Sequence, residues 1–391
     1  MPSTSPDAAR PFVTLGVPAS FTGHLAKMST DARGSDLAAM GRPETDPPQA
    51  APGASAQQVA LAQLRRHLTA WIRHEPGARL GSDPEELHQL RVAARRIEAT
   101  LGLFKHQLPP RLVHARQGAK GVLRALGTVR DLDVQLAELR QYCSALPSAE
   151  RAAAAPLRSR LEEERARTHQ RMLGTLDSEA TRHWLETLDH ASASFAAAAA
   201  PAAPQAATVI PERVRGRFRK LKKAVRRLDS RSAMEEYHTV RRRAKQLRYA
   251  IECGAGMFGK PAEEMLKVLR RLQDGLGAQQ DAYMAKNRLA ALAAGGSRLP
   301  SETLFLMGRL AEHHLGETRQ ARKTLTRSWR RVNGKRWKGL RARMEELSDA
   351  ASAVQAATDE NSQATLTAQL TPAPPAEDPV LAIPEARALR H

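Results

Sequence analysis

Residues 86–104 read ELHQLRVAARRIEATLGLF. Leu90, Ile97, Leu101 and Phe104 recur at helical spacing, and neither Pro nor Gly intervenes before Gly102, so the stretch predicts an amphipathic helix. At about 100° per residue, His88, Arg91 and Arg95 fall within about 60° of one another, along the edge of the apolar face. A single basic stripe says little, because a charged stripe is usually the solvated side of a helix.

The stretch returns. A shift of about 150 residues carries Glu86, His88, Arg91 and Ala94 onto Glu236, His238, Arg241 and Ala244, with Lys245 answering Arg95. The same shift carries Leu126, Gly127 and Asp131 onto Leu276, Gly277 and Asp281 without a gap. Two halves repeat one plan.

The paired motifs resemble the CHAD family, the conserved histidine α-helical domain. The residues that carry the resemblance are His88-Gln-Leu-Arg91-Val-Ala-Ala-Arg95-Arg96 with Leu126-Gly127-Thr-Val-Arg130-Asp131-Leu-Asp133. In the second half they are His238-Thr-Val-Arg241-Arg-Arg-Ala-Lys245-Gln-Leu-Arg248-Tyr249, then Leu272-Gln273-Asp274-Gly-Leu276-Gly277 and Asp281. The resemblance spans 57–347. It implies two four-helix bundles related by a pseudo-twofold axis, a basic central cavity, and binding of inorganic polyphosphate, often on polyphosphate granules. Two departures stand out: Glu98 occupies a position where the family often has another Arg, and Gln280 stands opposite Arg130.

The totals agree with a polyanionic partner. Sixty-one Lys and Arg against 41 Asp and Glu give a net charge of +20 over 391 residues, which suits polyphosphate, nucleic acid or an anionic surface. Aromatic residues are only 4% of the chain, so base stacking on Phe, Tyr or Trp platforms is a weak model and nucleic acid is the second reading. Cys143 and Cys253 form no CxxC pair, and neither a signal peptide nor an apolar run of membrane-spanning length occurs. The expectation is a reduced, cytoplasmic protein with no membrane partner.

Read in order, residues 1–55 are rich in Pro, Ala, Ser, Thr and Gly and read as a disordered tail; Met28 and Met40 are alternative starts within it. The domain is expected over 56–348. Its first bundle occupies 56–190, with helices over 57–74 (stopped by Pro76-Gly77), 83–107, 111–143 and 152–190. An Ala/Pro-rich join follows at 191–211, ending at Pro211. The second bundle covers 212–348, with helices over 212–228, 233–254, 262–294 and 301–329, the last continuing to 347. Residues 349–391 turn polar and Pro-rich and read as a second disordered tail. Strand signals are nearly absent, so the fold class is all-α, two tandem four-helix bundles.

The candidate polyphosphate ligands are His88, Arg91, Arg95, Arg96, Lys120, Arg124, Arg130, His238, Arg241, Arg242, Lys245 and Arg248. Arg offers a rigid fork matched to phosphate oxygens and Lys a compact charge. Positions 238, 241, 245 and 248 stay within about 80° on one helix face. Arg116, Lys120 and Arg124 form another stripe. A His beside an apolar face is usually structural, but its repetition in register with Arg favours a role in binding. Affinity is then expected to rise as pH falls through about 6.5. A face neutralised by Glu86, Glu236 or Glu252 is the competing interpretation.

Asp131 and Asp281 suit orientation of a neighbouring Arg or His better than catalysis. HExxH, GxxxxGK[ST] and GxGxxG are all absent, and the tunnel hydrolase that often accompanies the family is missing. The expectation is a non-enzyme without metal or cofactor, bound to polyphosphate granules, with tails available to other granule proteins. Two further basic segments, 213–227 and 319–343, are expected to line the cavity or its rim, and Trp329 and Trp337 to pack.

Overall fold

The first two helices begin where the sequence supplies a start signal. Ser55 and Gln58 form a reciprocal capping box before the first helix, with bonds of 2.9 and 3.1 Å. Asp83 caps the second by accepting from the Glu85 N–H at 2.8 Å, ahead of Pro84 and two acidic residues that suit the positive helix end. The computed structural model describes residues 53–194, 204–229, 231–295 and 299–370. The first half comprises α1 (Ala56–Leu80), α2 (Pro84–Leu103), α3 (Pro110–Ser144), the short α4 (Ser148–Ala152), α5 (Ala155–Leu176) and α6 (Glu179–Ser194). The second comprises α7 (Ala206–Val225), α8 (Met234–Cys253), the short α9 (Ala255–Phe258), α10 (Lys260–Ala294), α11 (Ser301–Arg331) and α12 (Trp337–Leu370). A π-helical turn, Val332–Arg336, joins the last two.

The helices assemble into two bundles by the same plan. In the first, α2 packs on α1 and α3, while α5 and α6 together form the fourth layer against α3. In the second, α8 packs on α7 and α10, and α11 with α12 supplies the fourth layer. Trp71 meets Trp184 edge-to-face at 5.5 Å, tying α1 to α6. Phe218 stacks on Trp337 at 3.6 Å and lies 6.0 Å from Trp329, so both Trp residues pack as expected.

The halves meet at three levels. At the starts of α1 and α7, Ala56 N–H donates to Pro204 O and Ala206 N–H to Ala54 O, both at 2.9 Å. These are equivalent residues under the shift of about 150, so the contact is reciprocal. Next, α2 packs against α8. At the far end, Leu132, Leu136 and Leu139 of α3 and Leu157 and Leu161 of α5 bury against Leu289, Leu306, Met307 and Leu310 of the second half.

Four boundaries differ from the sequence expectation. Pro76 does not stop α1: the helix continues to Leu80, where Gly81 at φ 72° closes it and donates its N–H to Gly77 O. Glu75 holds that last turn by accepting from Trp71 at 2.7 Å and Arg79 at 2.9 Å. Pro211 likewise lies inside α7, which starts at Ala206. The carbonyl it leaves without an N–H partner, Ala207 O, has the Ser348 hydroxyl at 3.4 Å. The join at 191–211 is therefore shorter, since α6 reaches Ser194; its residues 195–203 lie outside the described residues.

The fourth difference concerns the C-terminal tail placed at 349–391. Residues 349–370 continue α12, as an Ala-rich run with neither Gly nor Pro permits. Residues 371–391, and the N-terminal tail except 53–55, lie outside the described residues. Among the described residues no helix is long and apolar enough to cross a membrane.

Candidate functional site

Leu87, Leu90, Ala94, Ile97 and Leu101 are buried on the core side of α2, and Tyr237, Val240, Ala244, Leu247 and Ile251 on that of α8. Helical geometry then sends Arg91 and Arg95, and Arg241, Lys245 and Arg248, along the adjoining edges. Because α2 packs on α8, the two stripes converge.

Arg91 and Arg241 are held alike. A Cβ at Gly127 would stand 3.7 Å from Arg91 Nε, and one at Gly277 would stand 3.6 Å from Arg241 Nη2. Each glycine thus gives a guanidinium a bare stretch of helix backbone to lie against. The Nε atoms of Arg91, Arg96, Arg241 and Arg248 and the Nδ1 of His88 are buried without a hydrogen-bond partner. Buried donors of this kind normally find one.

The electrostatics show how closely the cations crowd. Burial, then Arg95 and Arg241, hold the Arg91 guanidinium below its ordinary value, against an opposing pull from Asp131. Burial first, then Arg241, Arg91, Arg95 and Arg248, push the Lys245 ammonium down to about 7. The carboxyl of Asp281 is raised by burial and by Asp131, although Arg241, Lys245 and Arg91 draw it down. Burial, with Arg130, Arg91 and Lys245, keeps the His88 imidazole below its usual range. Among the described residues Arg91, Arg95, Arg241 and Lys245 form no carboxylate ion pair within 4.0 Å.

Of the sequence-derived candidates, His88, Arg91, Arg95, Arg130, Arg241, Lys245 and Arg248 share this centre. Arg96 sits on its flank, 3.9 Å from Glu252, which also pairs with Arg248 at 3.5 Å. The neutralised-face interpretation therefore holds for Glu252 alone: Glu86 bonds His74 at 3.0 Å and Glu236 caps its own helix. Lys120 and Arg124 are exposed on the α3 face that carries Gly127, toward its N-terminal end. His238 and Arg242 are exposed, so the two motif histidines are not equivalent: His88 is half-buried among cations. Asp133 is no part of the centre; buried, it pairs with Arg165 at 2.5 Å and braces α3 against α5.

Arg217 was not singled out by sequence. Half-buried on α7, it is held low by burial and then by Arg116 and Arg213, with Glu98 and Cys253 opposing. Glu98 bonds Arg116 at 3.0 Å, which gives the departure at that position a local role. The residue that precedes Arg217 by about 150 positions is His67, which burial and Arg96 push down to about 3. One half thus carries a charged Arg where the other carries a neutral His. The only trace of Arg217 in the sequence is its place in the basic run 213–227. Among the described residues no group of three or more His, Cys, Asp or Glu side chains is disposed to hold a metal ion.

Fold and site together define a class: an all-α protein of two helical bundles with unpaired cations gathered where the halves meet. The chain belongs to the CHAD domain family, whose model matches residues 62–290. The crystal structure of the CHAD domain from the plant Ricinus communis is similar, with a TM-score of 0.62, 22% identity, and coverage of 75% of this chain and 98% of that one. PptA from Streptomyces chartreusis gives a TM-score of 0.57 at 21% identity, covering 71% of this chain and 99% of its own. No curated protein matches the chain.

Proposed function

We propose that this protein binds inorganic polyphosphate, without catalysis, along the seam between α2 and α8, and that this binding brings it to polyphosphate granules in the cytoplasm. The observation that carries the reading is the pair Arg91 and Arg241, each with a buried, unpartnered Nε, beside a Lys245 whose pKa is pushed down to about 7. Gathering like charge with only partial counter-charge, from Asp131 and Asp281, is unfavourable in the free protein. A polyanion reverses the sign of that interaction, and its oxygens accept from the orphaned donors. A flexible linear polymer also suits a site with cations on both sides, because successive phosphates can engage each half in turn. Family membership favours the same ligand.

The test is binding of long-chain polyphosphate across a salt series, for wild type and for Arg91→Ala with Arg241→Ala. Counterion release predicts that log K falls linearly with log salt, and that the double variant lowers the slope by about one to two units. Unchanged affinity and slope in the folded variant would refute the site. Incubation with Mg²⁺ or Mn²⁺ is expected to release no phosphate; release would restore an enzymatic reading.

A further inference from the structure

The basic run 213–227 does not behave as one unit. Nine of its residues are Arg or Lys and none is acidic. Val214, Phe218 and Leu221 are buried, with Phe218 stacked on Trp337, so this helix is firmly seated. Arg217 is half-buried near Arg116, Arg213 and Glu98. Arg219, Lys220, Lys223, Arg226 and Arg227 are exposed.

Arg215, Arg219, Lys222 and Arg226 follow one another at four-, three- and four-residue steps. At about 100° per residue they lie within about 60° on α7 and its cap, a row about 16 Å long at 1.5 Å per residue. Lys223 flanks it, and Arg219, Lys222, Lys223, Arg226 and Arg227 alone line an open cleft at the helix end. Among the described residues these five form no ion pair within 4.0 Å. Some other exposed cations of the second half do pair: Arg319 with Glu312, Arg336 with Glu264, Arg341 with Glu345 and Arg343 with Glu346. Lys323, Arg327, Arg330 and Arg331 of α11 are likewise exposed without an ion pair among the described residues, but it is the α7 group that gathers around one cleft.

We infer that this outward face of α7 is a second binding surface, separate from the α2–α8 seam, for the phosphate backbone of duplex nucleic acid without regard to base sequence. A straight row on a rigid helix, with Arg219 and Arg226 exposed and Arg215 and Lys222 half-buried, matches a rigid polymer, which loses little conformational freedom on docking and carries a charge about every 1.7 Å along its axis. The face presents no aromatic side chain for stacking and no apolar one for insertion into lipid, since the apolar residues of α7 face the core. It is an electrostatic surface only.

The experiment measures binding of a labelled mixed-sequence duplex across a salt series. The quadruple variant Arg219→Gln, Lys222→Gln, Lys223→Gln and Arg226→Gln should bind at least tenfold more weakly and lose about three to four units of salt slope. It should keep the wild-type affinity for short-chain polyphosphate, whereas Arg91→Ala with Arg241→Ala should keep duplex binding. Lys223→Glu with Arg227→Glu, both exposed, provides a second variant in case the first fails to fold. Duplex affinity unchanged in either α7 variant, or lost only with Arg91 and Arg241, would overturn the inference. So would α7-dependent binding of phosphatidylglycerol vesicles without duplex binding, or joint loss of both polyanions on changing α7. The duplex result stands whether or not the seam binds polyphosphate.

Discussion

Arg91 and Arg241, separated by about 150 residues, lie near enough across the α2–α8 seam for Arg241 to help hold the Arg91 pKa down. Each rests against a helix glycine, Gly127 or Gly277, and each keeps a buried Nε without a partner. Mutual repulsion, offset only in part by Asp131 and Asp281, sets up a trade between stability and the proposed binding.

Replacing both residues with Met keeps their aliphatic stems and removes the charge. The free protein should gain about 1 kcal/mol and melt a few degrees higher, while the stabilisation that polyphosphate confers on wild type disappears. Melting curves with and without short-chain polyphosphate check both statements together. A lower melting temperature in the free variant would show that the pair supports the fold rather than strains it.

The pH dependence should follow Lys245 more than His88. Lys245 is lowered to about 7 in the free protein, so at higher pH it must take up a proton to meet an anion. Affinity should change little just below about pH 7 and fall above it, by at most tenfold per unit for one linked proton. Lys245→Arg should hold affinity level to about pH 9. For folding the sign is the reverse: a lowered Lys pKa makes the free protein less stable as pH drops from the unfolded value of 10.5 toward about 7. His88, also held low, adds charge only in more acid solution, which corrects the expectation of a transition near its ordinary value.

Asp281 should oppose the proposed binding. It faces Arg241, Lys245 and Arg91, so its negative charge partly satisfies cations that an anion would otherwise engage. Asp281→Asn should tighten polyphosphate binding by about fivefold, equivalent to about 1 kcal/mol. Titration calorimetry at fixed salt measures the difference, and weaker binding would instead assign Asp281 to positioning the cations.

Glu138 is raised to about 7 by burial first and then by Asp281 and Glu317. A carboxyl with a raised folded pKa contributes stability below its unfolded value of 4.5 and loses it as pH rises through about 7. Glu138→Gln should therefore stabilise the protein by about 1 kcal/mol at pH 8, allowing for partial solvent screening, and make little difference near pH 4. Denaturant melts at the two pH values separate this from a uniform packing effect.

Asp133 and Arg165 serve the fold alone. With the Asp133 side chain only 1% exposed, Arg165→Met leaves a buried carboxylate uncompensated and should cost about 3 kcal/mol. The salt slope for polyphosphate should remain that of wild type in the surviving folded fraction. A changed slope would draw this pair into the site.

Most of the architecture was legible in the chain itself. The helical spacing of Leu90, Ile97 and Leu101, the caps at Ser55 and Asp83, and the return of the same motif about 150 residues later depend on local geometry and order along the chain. So does the convergence of Arg91 and Arg241 onto one seam, once two like bundles are placed face to face. Proline and alanine misled for opposite reasons. Pro76 and Pro211 lie inside helices because contacts local and distant sustain the turns around them, Glu75, Asp177 and His169 at the first and Ser348 at the second, and 349–370 stays helical because nothing there breaks a helix.

What tertiary structure alone decided is which charges keep company. Periodicity gives His88 and His238 the same place, yet only His88 lies half-buried among cations while His238 is exposed. Arg217 is half-buried near Arg116 and Glu98 while Arg219, Lys223 and Arg227 of the same run are exposed, and Glu252 pairs with Arg248 while Lys245, one turn away, forms no ion pair within 4.0 Å among the described residues. A sequence specifies the angle of a side chain about its own helix. Burial and the charges on neighbouring helices set what that side chain meets, and these arise only when distant segments pack.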